Sequence, residues 1–441
     1  MACNFPCVLG RCGAPFSLHS NLRRFSLTTF SPSLHKYRRQ SLSLRHFNRH
    51  AVASLSSSVA EEENDEFQLH DEEGQAIEAQ KKPFFPKKNQ VVELVCESLA
   101  FKGKGVCKIA ESGFVVMCDR ALPGERFIGR ITRVKKGHFA EGKKLKTISC
   151  HSDWVTAPCE HATDCGGCKT QNLAYETQVR AKEQQVRELM IRIGRFPIQG
   201  HGCEEYMKPI LPCDVQFHYR NKMEFSFGTK SWVSEDTVNR EDGPEMNKAA
   251  LGLHVPGRFD KILPIKNCLL QHKVANQVLA IVQEGWLDPM SYLLPYDVHK
   301  HTGFLKHLTL RTGRDYGTGL LQVMVNFITS CHKPKLLQPI VQKIVDTVPE
   351  VVSIVNNVNT SVGNTSVGEE EYILHGNSTI TETLRGLTFE ISANSFFQTN
   401  TRQADVLYSL VEEAASLRGD SSEIVLDLFC GTGTIGLTLA K

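Results

Sequence analysis

Ile424-Val-Leu-Asp-Leu-Phe-Cys-Gly-Thr-Gly-Thr-Ile-Gly-Leu-Thr-Leu-Ala-Lys441 reads as a strand, a glycine-rich turn and the start of a helix. Apolar residues on both sides of Asp427 suit a strand buried on both faces, as in a parallel sheet. Gly431 and Gly433 permit a tight turn in which backbone approaches a ligand closely. Ile435, Leu437, Leu439 and Ala440 then begin a helix whose first N–H groups face the same ligand. A lone Gly-x-Gly turn often only joins a strand to a helix, so the preceding chain must decide whether this one holds anything.

The 441 residues suffice for two or three domains, and 41% hydrophobic with 22% charged residues is the composition of a soluble globular protein. No apolar run reaches the roughly 18 residues of a membrane span, so none is expected. The formal charge of +3 hides segregation along the chain: residues 1–60 hold eight Arg/Lys and no Asp or Glu, leaving 43 basic against 48 acidic groups in the body. A nucleic-acid surface must therefore be local. Fifteen irregularly spaced cysteines do not form a small secreted disulfide framework; they point to a metal or cluster site in a reducing compartment.

Residues 1–60, rich in Ser and Arg and free of acids, have the composition of an organelle transit peptide, with a basic RNA-binding arm as the rival. Ala51-Val-Ala-Ser54 and the Ser/Thr content favour the chloroplast, whereas Arg23-Arg24 and Arg38-Arg39 keep the mitochondrion open. Residues 61–85 follow as an acidic linker, with nine acids and no bases in 61–80.

Residues 86–150 change character. V-V-E-L-V-C at 91–96, G-V-C-K-I-A at 105–110, G-F-V-V-M-C at 113–118 and R-F-I-G-R-I-T-R-V at 126–134 are short strands, with P-G-E at 123–125 as a turn. Such spacing predicts a five-stranded OB-like barrel. Residues 81–149 carry 16 Lys/Arg against six Asp/Glu, a surface suited to phosphates.

In 151–385, taken as a central α+β domain, P-C-E-H-A-T-D-C-G-G-C at 158–168 places Cys159, Cys165 and Cys168 in a C-x5-C-x2-C array. Tetrahedral zinc or a cubane cluster needs a fourth ligand, for which Cys203, Cys213 and Cys268 are candidates and His161 a lesser one. Spacing alone chooses neither the ligand nor the metal. Gln171–Arg195 predicts an amphipathic helix with Val179, Val186, Leu189, Met190 and Ile193 on one face. H-Y-R-N-K-M-E-F-S-F-G at 218–228 alternates as a strand, and its Tyr219, Arg220 and Lys222 suit phosphate or unstacked bases. Further strands are predicted at 304–313, 319–327 and 353–359, with a helix at Lys335–Val348 and a duplicated N-T-S-V-G hairpin tip at 359–368. In F-E-I-S-A-N-S-F-F-Q-T-N-T at 389–401, Gln398 and Asn400 are polar residues placed to meet a ligand just before a helix over Gln403–Leu417, with Asn400 or Thr401 as its N-cap.

Several of these motifs resemble one family. C-x5-C-G-G-C followed by P-I-x-x-C, Y-R-N-K-x-E-F-S-F, F-F-Q-x-N and D-L-F-C-G-T-G-T are together similar to the cluster-containing RNA 5-methyluridine methyltransferases, from residue 86 to the last residue. L-A-F-K-G-K-G-V and A-L-P-G-E resemble the TRAM domain, an RNA-binding barrel. The resemblance implies an OB-like barrel, a central α+β domain with a cysteine cluster, and in 386–441 the start of a Rossmann-like S-adenosylmethionine-dependent methyltransferase domain. It implies a 4Fe-4S cluster on Cys159, Cys165, Cys168 and Cys268, and RNA contact at Arg220 and Lys222. Gln398, Phe429 and Thr434 match donor-contacting positions, Thr434 standing where the family commonly has Asn; Asp427, Gly431 and Gly433 belong to the same cofactor loop.

The implied reaction is methyl transfer from S-adenosylmethionine to C5 of a uridine in ribosomal or transfer RNA, by a monomer. Family enzymes activate this poor nucleophile by adding a cysteine thiolate to C6, and a base later removes the C5 proton. The uridine must leave its stack to be reached. The chain stops seven residues after Thr434 without a match to that cysteine or base, and Cys430 sits in the cofactor turn. The expectation is a truncated chain, inactive by itself; the alternative is a noncatalytic iron–sulfur or zinc RNA-binding protein.

Overall fold

From Val91 onward the apolar and polar residues alternate into five strands: β1 (Val91–Leu99), β2 (Lys104–Ile109), β3 (Val115–Asp119), β4 (Arg126–Lys135) and β5 (Phe139–Ser149). In the computed structural model, which describes residues 85–135, 139–196, 207–233, 248–288, 290–363, 365–420 and 422–440, these strands close into a barrel in the order β1-β2-β3-β5-β4. The five-stranded barrel predicted from sequence is present. Its fifth strand was not legible, because Lys143, Lys144 and Lys146 stand where apolar residues would mark the period. Leu94, Cys96, Cys107, Val116, Cys118, Phe127 and Ile131 fill the interior. Gly142 is required there, since a Cβ would lie 2.8 Å from Cys118 Sγ. At the P-G-E turn Glu125, 4% exposed, accepts from the Leu122 N–H (3.1 Å), Lys144 Nζ (2.8 Å) and Thr147 Oγ1 (2.7 Å). The expected transit segment and nearly all of the acidic linker lie outside the described residues.

The helix predicted over Gln171–Arg195 forms as α1 (Tyr175–Arg192), and its apolar face runs from half-buried to exposed. Only Thr177 is buried, Val186 is 50% exposed and Leu189 46%, and no α1 residue joins the central core.

That core belongs to a seven-stranded sheet, order β12-β11-β10-β9-β6-β7-β8. Its strands are β6 (Lys222–Gly228), β7 (Ala250–Val255), β8 (Arg258–Pro264), β9 (Leu305–Arg314), β10 (Leu321–Thr329), β11 (Val351–Val358) and β12 (Glu370–Gly376). Met223, Phe225 and Phe227 of β6 all point into the core, as the alternation predicts. Two helices, α2 (Lys273–Leu287) and α3 (Pro334–Thr347), cover this apolar face with Val278, Val282, Leu337 and Ile344. The antiparallel β6–β9 register then places Lys222, Glu224 and Ser226 beside Arg311, Thr309 and His307 on the opposite, polar face. The duplicated N-T-S-V-G does join β11 to β12 as a hairpin connection, and its Ser366 Oγ donates to Glu224 Oε1 at 3.0 Å.

A separate hairpin, β13 (Thr379–Leu384) and β14 (Leu387–Ser392), packs with Phe397 and with Ala404 and Tyr408 of α4 (Thr401–Ala415) against Met324 and Val355 of the sheet. The strand expected at 424–428 does not form. Its residues pair with no strand among those described, and Ile424, Leu426 and Leu428 are 90%, 77% and 75% exposed. A strand buried on both faces needs hydrogen-bonded neighbours and covering helices, and the described residues place neither beside it. The glycine-rich turn and the short helix α5 (Thr434–Leu439) are present.

Candidate functional site

The thiols expected to share a centre come from distant segments. Cys159, Cys165 and Cys168 lie on the loop before α1, and Cys268 on the loop between β8 and α2. Cys165 and Cys268 are buried, the other two half-buried. The four are near enough to repel as thiolates. Burial raises Cys165, and Cys168, Cys268 and Cys159 push it further in the same direction. Burial likewise raises Cys159, with Cys268 adding to it, and raises Cys168, with Cys268 and Cys159 adding. The Gly167 N–H donates to Cys165 Sγ at 3.4 Å, and the Gln171 amide and Arg220 both favour the Cys168 thiolate.

Neighbouring side chains hold both loops. Asn276, in the first turn of α2, accepts from the Cys268 N–H (2.9 Å) and donates to its carbonyl (3.1 Å). From the end of β3 the Arg120 guanidinium donates to the carbonyls of Ala162 and Cys165. His161 Nε2 accepts from the Lys266 N–H at 3.2 Å. Of the other fourth-ligand candidates, Cys213 lies elsewhere, its thiol donating to Val215 O at 3.0 Å and receiving the Asn400 amide at 3.6 Å, and Cys203 is outside the described residues. Among the described residues no group of three or more His, Cys, Asp or Glu side chains is placed to hold a metal ion.

The second grouping surrounds Gln398. Asn400 accepts from the Gln403 N–H at 3.1 Å and so caps α4, while Phe397 is buried against Phe389 at 5.8 Å between ring centroids. Asn221, the residue before β6, donates from Nδ2 to the Gln398 carbonyl and to Thr401 Oγ1, both at 2.9 Å. Its backbone N–H donates to Thr399 O at 2.9 Å. Arg311, 3% exposed, donates from Nε to Ala393 O at 3.2 Å and from Nη2 to Ser395 O. Burial lowers its guanidinium to about 10, which leaves it charged at neutral pH.

The glycine-rich turn meets this segment. Thr432 Oγ1 donates to the Phe396 carbonyl at 3.3 Å, and buried Thr434 shares a 2.8 Å hydrogen bond with Tyr408. Asp427 Oδ2 accepts from the Gly436 N–H at 3.0 Å, so this residue, read as part of a strand, ties the turn to α5. Gly431 and Gly433 adopt φ of 59° and 72°; Phe429 does the same at 66° and is fully exposed.

Of the residues expected to meet RNA, Arg220 runs beside the cysteine-bearing loop: its N–H donates to Leu270 O at 2.9 Å and its Nε to Lys222 O at 3.0 Å. Lys222 Nζ pairs with Glu224 Oε1 at 2.6 Å on the polar face of the sheet.

Relatives place this arrangement. An uncharacterized RNA methyltransferase of Chlorobaculum tepidum is 33% identical over 356 residues, covering 80% of this chain and 71% of its own. One of Porphyromonas gingivalis is 37% identical over 343 residues, covering 76% and 70%. The crystal structure of Pyrococcus abyssi tRNA (uracil-54, C5)-methyltransferase in complex with S-adenosyl-L-homocysteine is similar at a TM-score of 0.56 and 25% identity, over 79% of this chain and 70% of that one. The chain belongs to the RNA methyltransferases. No family model matches it.

In this methyltransferase, sequence reasoning passed over Asn221, Arg311 and Asn276. Asn221 stands inside the H-Y-R-N-K-M-E-F-S-F-G run, but only its neighbours Arg220 and Lys222 carry the charge that signals a ligand. Arg311 is one of several basic residues of β9 and Asn276 lies in a largely apolar helix, so no local pattern marks either.

Proposed function

We propose that this methyltransferase transfers the S-adenosylmethionine methyl group to C5 of a uridine in transfer or ribosomal RNA, with Gln398, Phe429, Thr434, Asp427, Gly431 and Gly433 at the donor. The observation that carries this reading is the Thr432–Phe396 hydrogen bond. It brings the F-F-Q-T-N segment and the glycine-rich turn, separate in sequence, to one place in a fold similar to a uracil-C5 enzyme with S-adenosyl-L-homocysteine bound. Arg220, Lys222 and the basic barrel, which we read as TRAM-like, take the RNA. Lys222 is already paired with Glu224, so RNA phosphate must compete with that carboxylate. We assign no nucleophile or base to residues of this sequence.

The cysteine centre suits a 4Fe-4S cluster on Cys159, Cys165, Cys168 and Cys268. The Gly167 N–H directed at Cys165 Sγ and the Gln171 amide at Cys168 support thiolate ligation at this centre. Such a cluster stabilises the joined loops and places Arg220 rather than serving the reaction. We read the protein as a chloroplast monomer.

Binding decides the donor assignment. Saturable binding of S-adenosylhomocysteine by the purified chain, weakened but still measurable in Gln398→Ala, is expected in calorimetry; a chain that binds none rejects it. Any label that passes from a methyl-labelled donor to a uridine-containing transcript is expected in 5-methyluridine, and label in any other nucleoside rejects the C5 assignment.

A further inference from the structure

Resting on the donor assignment of Gln398, we infer that Asn221 and Arg311 are positioning residues of the methyl-donor site, which fix the main chain of Ala393–Thr401 and so aim Gln398. Residues 393–400 run between β14 and α4 without regular secondary structure. Backbone that lacks ladder partners must find them elsewhere. Here the partners are side chains of the central sheet. Both Asn221 amide hydrogens go to this segment, to the Gln398 carbonyl and to Thr401 Oγ1, and its backbone N–H goes to Thr399. Asn221 is itself anchored, because its carbonyl accepts from the Thr312 N–H of β9 at 2.9 Å.

Arg311 holds the other end. Its guanidinium donates to the carbonyls of Ala393 and Ser395, five to three residues before Gln398. Among the described residues it has no carboxylate within ion-pair distance, although Glu224 lies near enough to favour its charge. A buried cation directed at main-chain carbonyls is an expensive way to gain stability alone, since an apolar side chain would serve the core as well. What it supplies is geometry: two directed, charge-assisted bonds from one planar group. The Gln398 side-chain amide makes no hydrogen bond among the described residues, so the clamp holds the backbone and leaves the side chain for a ligand. Asn221 also lies between Arg220 and Lys222. The strand that is read as meeting RNA therefore carries the residue that sets the donor segment.

The test uses the full 441-residue chain and three readouts: S-adenosylhomocysteine affinity by calorimetry, affinity for a uridine-containing transcript at fixed salt, and the thermal melting midpoint. Asn221→Asp keeps the shape and loses the amide donor; Arg311→Lys keeps the charge and loses the fork. Each is expected to weaken S-adenosylhomocysteine binding about tenfold, the equivalent of one well-placed hydrogen bond, with RNA affinity within about twofold of the unmodified chain. Combining Asn221→Asp with Gln398→Ala is expected to lose no more than Gln398→Ala alone, because the first acts through the second. Unchanged donor affinity in both variants overturns the inference while leaving the donor site in place. So does an additive double variant, or a matched loss of melting temperature, RNA binding and donor binding, which is the signature of a merely structural role. If the unmodified chain binds no S-adenosylhomocysteine, the donor assignment itself falls, and the inference with it.

Discussion

Arg120 of the barrel donates to the carbonyl of Cys165 at 2.6 Å, so a strand end of one unit grips the loop that carries three of the four clustered thiols. The same guanidinium reaches the Ala162 carbonyl, and Lys144 Nζ donates to the carbonyl of Arg120 at 3.1 Å. Arg120→Ala removes two charge-assisted bonds and leaves their carbonyls unpaired. It is expected to lower unfolding stability by about 1–3 kcal/mol in urea titration, with Arg120→Lys recovering part of the loss. An alanine variant as stable as the unmodified protein shows that this grip carries no energy.

The thiol cluster makes a compositional prediction. After anaerobic purification, iron and acid-labile sulfide are expected in the unmodified chain and at background in Cys165→Ala and Cys268→Ala. Cys213→Ala, whose thiol bonds to Val215 outside the group, is expected to retain both. Zinc without sulfide in the unmodified chain rejects the cluster.

His307 gives the protein an acid sensitivity. Burial lowers its imidazole from 6.5 to about 4, with Glu224 opposing and His254 and Lys306 reinforcing the shift. The folded value lies below the unfolded one, so the neutral ring favours folding. That contribution is complete above pH 6.5 and is lost as pH falls from about 6.5 to about 4. At about 1.4 kcal/mol per unit it amounts to about 3.5 kcal/mol at most. Urea midpoints measured from pH 7.5 to 4.5 are expected to fall steeply in the unmodified protein and less steeply in His307→Gln; equal slopes contradict the assignment.

Tyr408 and Thr434 share a buried hydroxyl–hydroxyl hydrogen bond of 2.8 Å that ties α4 to the start of α5. Tyr408→Phe is expected to cost about 1 kcal/mol by chemical denaturation. Tyr408→Phe combined with Thr434→Val, which removes both partners, is expected to cost less than the sum of the two single changes. A strictly additive result shows that the two hydroxyls do not act as a pair.

Local pattern in the sequence determined the elements. Strict alternation marked β6 and its buried Met223, Phe225 and Phe227, and the polar Asn400 before an amphipathic run marked the cap of α4. The same local signals placed Cys159, Cys165 and Cys168 in one array and set Gln398 before a helix. Tertiary structure alone decided the rest. The hydrogen bonds of Asn221 and Arg311 to the segment around Gln398 and the hold of Arg120 on the cysteine loop join residues far apart in sequence, and no periodicity records such contacts. Periodicity also misled where it lacked a partner. Residues 424–428 have the pattern of a buried strand, yet Ile424, Leu426 and Leu428 stand exposed among the described residues, because burial is a property of two surfaces and the sequence of one segment supplies only one.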